Sequence, residues 1–191
     1  SIGLIRENRN VKEPITPGLT LIISAYNEGE IIEKKIQNSL ALDYPREKLE
    51  IVVVSDACSD NTEEIAQRYK ELGVLTRRVE GRVGKSACLN AIIPDARGEI
   101  VVFSDANSMF PVQAMRKLVQ NFADSKVGCV TGYTKYILAD DSILDGSIAL
   151  YSWIGKITKE LESRIGSCVG ADGAIFAIRK NLYEPLKKTD I

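Results

Sequence analysis

Residues 19–30 decide the fold of this chain, and they read LTLIISAYNEGE. The run over 19–23 is almost wholly apolar and lacks the alternation of a half-exposed strand, so it predicts a buried strand. An amphipathic helix is predicted over 30–42, with Asn27 and Glu30 at the spacing of a capping box. A strand followed directly by a helix is the first half of a βαβ unit, so this stretch predicts an α/β fold.

The same alternation continues along the chain. Further apolar strands are predicted at 49–54, 74–78, 100–103, 127–131 and 174–179, with helices at 60–72, 86–93, 111–122 and 142–164 and from Asn181 onward. Strands this apolar are covered on both faces, which is typical of a mainly parallel sheet flanked by helices. The sequence therefore predicts one Rossmann-like α/β domain over residues 17–191, preceded by a polar lead over residues 1–16.

Charge and composition exclude several classes of function. Lys and Arg number 25 against 26 Asp and Glu, so no broad positive field is available to bind nucleic acid. The chain has no histidine, which excludes Ser-His-Asp and Cys-His triads and histidine-based zinc sites and leaves acid–base chemistry to carboxylates. The cysteines lie far apart in sequence and are interpreted as buried reduced thiols: Cys58, Cys88, Cys129 and Cys168.

No apolar run reaches the roughly 20 residues that cross a bilayer, so the chain as given is expected to be soluble. It begins without methionine and stops soon after Lys188 without a finishing element. We therefore expect it to be a piece of a longer protein.

Polar clusters follow three of the predicted strands, at the edge where open parallel sheets bind ligands. The Asp56 carboxylate can accept hydrogen bonds from a base or ribose. Asp105 can ligate a hard cation, with Asn107 offering a neutral oxygen or holding a metal-bound water. Each cluster by itself is equally well explained as a cap or turn, and Asp60 is assigned to a helix cap first. The clusters are Tyr26-Asn27-Glu28, Asp56 with Asp60, and Asp105-Ala106-Asn107.

The glycine-containing segment GRVGKS, residues 81–86, is similar to a phosphate-binding P-loop. That motif requires a glycine where Val79 stands, so the P-loop interpretation fails. Arg82 and Lys85 remain in a flexible turn beside a helix start, where they either meet a diphosphate or form a solvated basic turn. No GxGxxG motif follows the first strand, which argues against a nicotinamide or flavin enzyme.

Taken in order, these motifs resemble those of the family 2 glycosyltransferases over residues 17–180. The segments that carry the resemblance are AYNE at 25–28, SDACSDNT at 55–62, GK at 84–85, GE at 98–99 and SDAN at 104–107. The resemblance implies a GT-A fold, a nucleotide-diphosphate-sugar donor that is most often a UDP-sugar, and a Mg²⁺ or Mn²⁺ ion. The family includes polysaccharide synthases whose cytosolic catalytic domain is flanked by membrane helices. Membrane association at the cytoplasmic face is therefore expected of the full-length protein.

The resemblance also implies roles for single donor-site residues. Tyr26 and Glu28 correspond to base and ribose contacts, Asp56 to the carboxylate on the uracil side, and Lys85 to a donor-site residue. Arg82 is added to the donor-binding set because of its place in the turn.

Asp105 corresponds to the first aspartate of the family's DXD metal motif. Asn107 stands where the family has the second aspartate, so metal binding is expected to be weaker than usual. The segment GADG, residues 170–173, is similar to the family's acceptor-side segment and makes Asp172 an acceptor contact, with a tight turn as the alternative.

The reaction implied is a single inverting displacement by a hexosyltransferase, in which a glycan or lipid hydroxyl attacks the anomeric carbon. In the family the base lies in an acidic motif after the acceptor segment, commonly followed by a QxxRW helix, and neither occurs before Ile191. We therefore expect this chain to bind donor but to transfer sugar poorly or not at all.

Two other interpretations stay open. The first is a nucleotide-sugar-binding or regulatory module that has lost activity, which Asn107 and the absent base favour. The second is a sugar nucleotidyltransferase, against which the single glycine within residues 24–29 argues.

Overall fold

A computed structural model describes residues 11–132 and 175–186 of this chain. The strands in these residues are β1 Leu19–Ala25, β2 Leu49–Asp56, β3 Val74–Val79, β4 Ile100–Asp105, β5 Cys129–Thr131 and β6 Ile175–Arg179. The α-helices are α1 Ile32–Leu40, α2 Thr62–Gln67, α3 Lys85–Ile92 and α4 Ala114–Val119. Short 3-10 turns lie at Arg46–Lys48, Lys70–Leu72, Ile93–Asp95, Gln120–Ala123 and Lys180–Leu182.

The strands form one sheet in the order β3-β2-β1-β4-β6-β5. β1 pairs in parallel with both β2 and β4, and β3 extends the parallel part beside β2. β6 returns antiparallel to β4, and β5 is antiparallel to β6. The mainly parallel, Rossmann-like α/β sheet predicted from the sequence is confirmed. Strand order reverses at β1, and ligands of open α/β sheets bind at the carboxyl ends of the strands at such a point.

The core lies on both faces of the sheet. On β1, Leu21 and Ile23 pack in the layer that contains α1, α2 and α4, whereas Ile22 packs in the layer that contains α3. All three side chains are fully buried. This two-sided burial is the reason that the first strand carries no alternation of polar residues. Among the described residues, no helix combines the length and the apolar character that crossing a bilayer requires.

The predicted start of the first helix is wrong. α1 begins at Ile32, after a residue whose side chain makes no capping hydrogen bond. Asn27 has a left-handed backbone with φ 52°, and its side-chain oxygen accepts a hydrogen bond from the Ser59 amide rather than from the helix. The capping box between Asn27 and Glu30 therefore does not form, because a neighbouring loop uses the asparagine.

Three other predicted helices are shorter than expected. The helix predicted over 111–122 divides into α4, which begins only at Ala114, and the 3-10 turn Gln120–Ala123. The helix predicted over 60–72 divides into α2 and the 3-10 turn Lys70–Leu72, which ends at Gly73 with φ 81°. The helix predicted from Asn181 is only the 3-10 turn Lys180–Leu182 in the described part of the chain. The helix predicted over 142–164 lies outside the described residues.

The prediction for the cysteines is confirmed in part. Cys58 and Cys88 are buried and form no disulfide. Cys129 is exposed, contrary to the prediction, because β5 is the edge strand of the sheet. Cys168 lies outside the described residues.

Gly98, just before β4, packs its backbone directly against β1. A Cβ atom at this position would lie 2.4 Å from the Thr20 nitrogen and 2.6 Å from the Leu19 carbonyl carbon. The Gly98 amide also donates a hydrogen bond of 2.9 Å to the buried Thr20 hydroxyl. Both atoms in the way belong to the central strand, so neither can move without shifting the sheet.

We predict that Gly98→Ala lowers the free energy of unfolding by about 3 kcal/mol, because an added methyl group overpacks the core. Gly18→Ala is the matched control, since its Cβ would meet neighbouring atoms only at 3.6 Å. Urea denaturation of the two variants and the parent chain measures the difference. Equal costs at the two positions would show that the contact at Gly98 relaxes easily.

Candidate functional site

A pocket of about 250 Å³ opens at the carboxyl ends of β1, β2 and β4. Residues from all three predicted polar clusters line it, together with the start of α3. These residues include Tyr26, Glu28, Asp56, Lys85, Asp105 and Asn107. The structure therefore brings together every described candidate except Arg82, which contacts the pocket through Tyr26. Asp172 lies outside the described residues, so its assignment as an acceptor contact stays a prediction.

The loop from Tyr26 to Gly29 is hydrogen-bonded to Asp60 and Thr62 at the start of α2. The Glu28 amide donates to the Thr62 hydroxyl at 2.8 Å, and the Gly29 amide donates to the Asp60 carboxylate at 2.9 Å. These bonds satisfy backbone groups at the end of β1 that otherwise lack partners. They hold the Tyr26 and Glu28 side chains at the mouth of the pocket.

Asp60 supports this loop, but its assignment as the N-cap of the second helix is wrong, because Asn61 holds that position. Its other carboxylate oxygen accepts hydrogen bonds from the amide and the hydroxyl of Thr62, the first residue of α2. Partial desolvation raises the pKa of Asp60, but the hydrogen bonds from Thr62 and Gly29 outweigh it and hold the pKa below its ordinary value. Glu63 does not complete a capping box; it accepts hydrogen bonds from Ser55 and Arg78 instead.

Asp56 holds the glycine-containing turn after β3 in place through two hydrogen bonds. One of its oxygens accepts the Val83 amide at 2.8 Å, and the other accepts the Gly84 amide at 2.9 Å. These bonds help to hold the turn because Arg82, a non-glycine residue, has an unfavourable positive φ of 47°. Asp56 thus lines the pocket as predicted, while both of its oxygens already bind backbone amides.

Arg82 extends from that turn over the pocket entrance. Its guanidinium carbon lies 4.2 Å from the centroid of the Tyr26 ring, a cation–π contact. Tyr26 is 38% exposed, although its side chain is large and mainly apolar. The pair forms a flat, positively charged rim beside the pocket.

Lys85 and Asp105 form an ion pair inside the pocket. The Lys85 Nζ lies 2.5 Å from Asp105 Oδ1, and the two side chains are 38% and 39% exposed. Lys85 is the first residue of α3, and Asp105 is the last residue of β4. The cation and the carboxylate therefore meet where two elements end.

The pocket is suited to a hard divalent cation only with help from a substrate. No group of three or more Cys, Asp or Glu side chains in the described residues is arranged to hold a metal ion. Asp105 and Asn107 supply two oxygen-bearing side chains to the lining of the pocket. Magnesium is commonly bound by one or two carboxylates plus substrate phosphates, so these residues fit such a metal when a diphosphate supplies the remaining oxygens.

Lys35 stabilises the loop that follows Asp105, a role that was not predicted from the sequence. This α1 lysine is fully buried, donates a hydrogen bond to the Ser108 carbonyl, and lies 3.5 Å from the Phe110 ring centroid. Asn38, also on α1, donates a hydrogen bond to the Phe110 carbonyl and accepts one from the Phe110 amide, each at 2.8 Å. Helix α1 thereby holds the loop that follows Asp105.

Burial lowers the pKa of Lys35 to about 7, an effect that the negative charge of Asp105 opposes. A sequence signal for this residue exists. Ile32, Lys35 and Ile36 recur at the spacing of one helix face, so the lysine stands where an apolar residue is expected.

Comparison with protein families and curated proteins gives concordant matches. The model of Glycosyl transferase family 2 matches residues 20–186. The chain is 37% identical over 185 residues to poly-beta-1,6-N-acetyl-D-glucosamine synthase of Staphylococcus aureus (strain COL), covering 92% of this chain and 43% of the synthase. It is 29% identical over 187 residues to a probable glycosyltransferase of Bacillus subtilis (strain 168), of which it covers 43%. The chain thus spans less than half the length of these relatives.

Solved structures give the same result. A mannosyltransferase from Pyrobaculum calidifontis, in complex with GDP-Man and Mn²⁺, matches with a TM-score of 0.77 at 30% identity, over 90% of this chain and 47% of that one. Residues 1–349 of TarS from S. aureus, in complex with UDP-GlcNAc, match with a TM-score of 0.58 over 66% of this chain and 37% of that one. At 20% identity, this second likeness concerns the fold alone. The predicted GT-A fold is confirmed.

We predict that Asp56→Asn loosens the turn around Arg82. An asparagine replaces one acceptor with an NH₂ group that faces a backbone N–H, so at least one of the two hydrogen bonds to Val83 and Gly84 is lost. Trypsin is expected to cut after Arg82 several-fold faster, as followed by mass spectrometry. Asp43→Asn is the control, because it alters an exposed ion pair with Arg116. Equal cleavage rates in the Asp56 and Asp43 variants would contradict the role given to Asp56.

We predict that Lys35 makes stability rise with pH above neutrality. The folded lysine loses its proton near pH 7, whereas the unfolded one keeps it until about its ordinary pKa of 10.5. Between these values the unfolded state binds more protons, so the free energy of unfolding rises with pH by at most about 1.4 kcal/mol per unit. Below pH 7 both states are protonated, and the unfavourable contribution is constant.

Lys35→Met removes this titration and no other. The free energy of unfolding of the parent chain, measured by urea denaturation relative to Lys35→Met, is expected to increase between pH 7 and pH 9. Parallel pH profiles for the two proteins would show that Lys35 keeps its ordinary pKa in the folded chain.

Proposed function

Since this chain belongs to glycosyl transferase family 2, we propose that its pocket binds a nucleoside diphosphate sugar and presents it for transfer to an acceptor hydroxyl. The observation that carries the proposal is the convergence of three strand-end clusters on one pocket of about 250 Å³. That pocket contains a carboxylate for a metal, the Lys85 ammonium group for a diphosphate, and an aromatic ring for a base. A nucleoside diphosphate sugar combines the same three requirements.

We propose that the base and ribose bind at the Tyr26 end of the pocket. The exposed Tyr26 ring and the Arg82 guanidinium offer flat surfaces on which a base stacks. Glu28, two residues after Tyr26 in the same loop, also lines the pocket and is assigned to the ribose hydroxyls. Asp56 is assigned to the uracil side, because it lines the pocket while its oxygens hold the turn. The sequence resemblance favours a UDP-sugar.

The diphosphate is assigned to the other end of the pocket, beside Lys85 and Asp105. Lys85 supplies a positive charge there, and Asp105 and Asn107 would hold a Mg²⁺ or Mn²⁺ ion together with phosphate oxygens. The mannosyltransferase of similar structure was solved with Mn²⁺ and GDP-Man, which supports the use of a divalent metal in general. Such a metal would neutralise the negative charge that develops on the leaving diphosphate.

The base of the reaction is proposed to lie outside the described residues. The pocket carboxylates Glu28, Asp56 and Asp105 are each assigned to the donor or its metal, which leaves none for the acceptor hydroxyl. The chain spans 43% of the S. aureus synthase to which it is similar. We infer that the whole protein transfers the sugar with inversion to a glycan or lipid, with Asp172 on the acceptor side, at the cytoplasmic face of a membrane.

We predict that UDP raises the thermal midpoint of this chain in the presence of Mn²⁺ and that GDP raises it less. A ligand at a hundredfold excess over its dissociation constant stabilises the folded state by about 2.7 kcal/mol, so the shift is readily measured by differential scanning fluorimetry. Asp105→Ala is expected to abolish the dependence on Mn²⁺. Asp95→Ala, which removes an exposed carboxylate on a 3-10 turn before β4, is the control and is expected to keep it.

Each alternative outcome has a definite meaning. A nucleotide shift that does not depend on metal would favour a nucleotide-binding module without transferase chemistry. The absence of a shift with any nucleotide, in a chain that unfolds cooperatively, would contradict the proposed donor site.

A further inference from the structure

We propose that Lys85 occupies the cation position on Asp105 when no donor is bound, and that metal and donor bind together because the donor draws Lys85 away. This inference rests on the proposed donor site and adds a mechanism by which the empty site keeps metal out. The Lys85 Nζ lies 2.5 Å from Asp105 Oδ1, so the ammonium group donates a charge-assisted hydrogen bond directly to the carboxylate.

The position of Lys85 is set from both sides. Gly84, the residue before it, is held by Asp56 through its amide at 2.9 Å, and α3 begins at Lys85 itself. Asp105 is equally fixed, because it ends β4 in register with Ser24 of the central strand. The ion pair therefore follows from the positions of two rigid elements, each of which restricts where its side chain reaches.

The local charges explain why a metal alone competes poorly. Asp105 carries one negative charge, and its neighbour Asn107, which also lines the pocket, is neutral. A divalent cation on Asp105 would place two positive groups side by side while Lys85 stayed in place. With a single carboxylate between them, the two cations exclude each other.

A diphosphate changes this balance. It brings several negative charges and many acceptor oxygens into the pocket, enough to accept both the lysine and a metal. Lys85 then moves from Asp105 to a phosphate oxygen, and Asp105 is released for the metal. Each ligand thereby raises the affinity for the other by the same factor, as thermodynamic linkage requires.

The inference predicts opposite changes in two affinities when the lysine is neutralised. In Lys85→Met, Mn²⁺ alone is expected to bind about tenfold more tightly, because Asp105 no longer has a competing cation. UDP in the presence of Mn²⁺ is expected to bind about tenfold more weakly, because the diphosphate loses a charge partner. A tenfold change corresponds to about 1.4 kcal/mol in either direction.

The experiment measures Mn²⁺ binding to the chain by electron paramagnetic resonance of the free ion, with and without UDP. Lys70→Met is the matched control, since Lys70 lies in the 3-10 turn before β3, at the opposite end of that strand from the pocket. The double variant Lys85→Met with Asp105→Ala is expected to lose the gain in Mn²⁺ affinity, which locates the gained ion at Asp105. Lys85→Gln repeats the test with a polar replacement in case the methionine variant unfolds.

An unchanged or weakened affinity for Mn²⁺ alone in folded Lys85→Met and Lys85→Gln would overturn the inference. That result is distinct from failure of the donor site, which would appear as an absence of Mn²⁺-dependent UDP binding in the parent chain. A gain in Mn²⁺ affinity that persists in the double variant would also overturn it, because the ion would then bind elsewhere.

Discussion

The parallel pairing of β1 with β2 on one side and β4 on the other is the constraint on which the rest of this structure depends. The register places Ala25 opposite Ser55 and Ser24 opposite Asp105, so the three strands end at the same level. A slip of one residue would turn the buried side chains of β1 to the wrong layers of the core. Burial on both faces therefore fixes the register, and the register fixes where the polar residues of the site meet.

Several polar side chains at that edge accept hydrogen bonds from backbone amides. Asp60 and Thr62 hold the amides of the loop after β1, and Asp56 holds two amides of the turn after β3. Loops that leave parallel strands carry unpaired amides, and short polar side chains are the nearest acceptors for them. A structural role and a place in the ligand pocket are therefore compatible at Asp56. The same carboxylate holds the turn and lines the pocket.

Positive charge is distributed around Asp105 at several depths. Lys85 pairs with Asp105 in the pocket. Lys35 is buried beneath the loop that follows Asp105, and the negative charge of Asp105 raises the pKa of Lys35 against the effect of burial. Arg82 lies at the rim, against Tyr26. A site with this arrangement favours a negatively charged ligand that brings its own cation. A metal-bound nucleoside diphosphate is such a ligand.

The sequence by itself determined the order of strands and helices, the apolar central strand and the identity of the pocket residues, because these depend on local periodicity and on position after a strand. It did not determine where helices begin or which partner each polar residue takes. Asn27 was predicted to cap α1 and binds Ser59, and Lys35 was missed because helical spacing alone indicates only that its position faces the core. Only the tertiary structure decided these partners, since hydrogen bonds and ion pairs between residues distant in sequence depend on how the strands align.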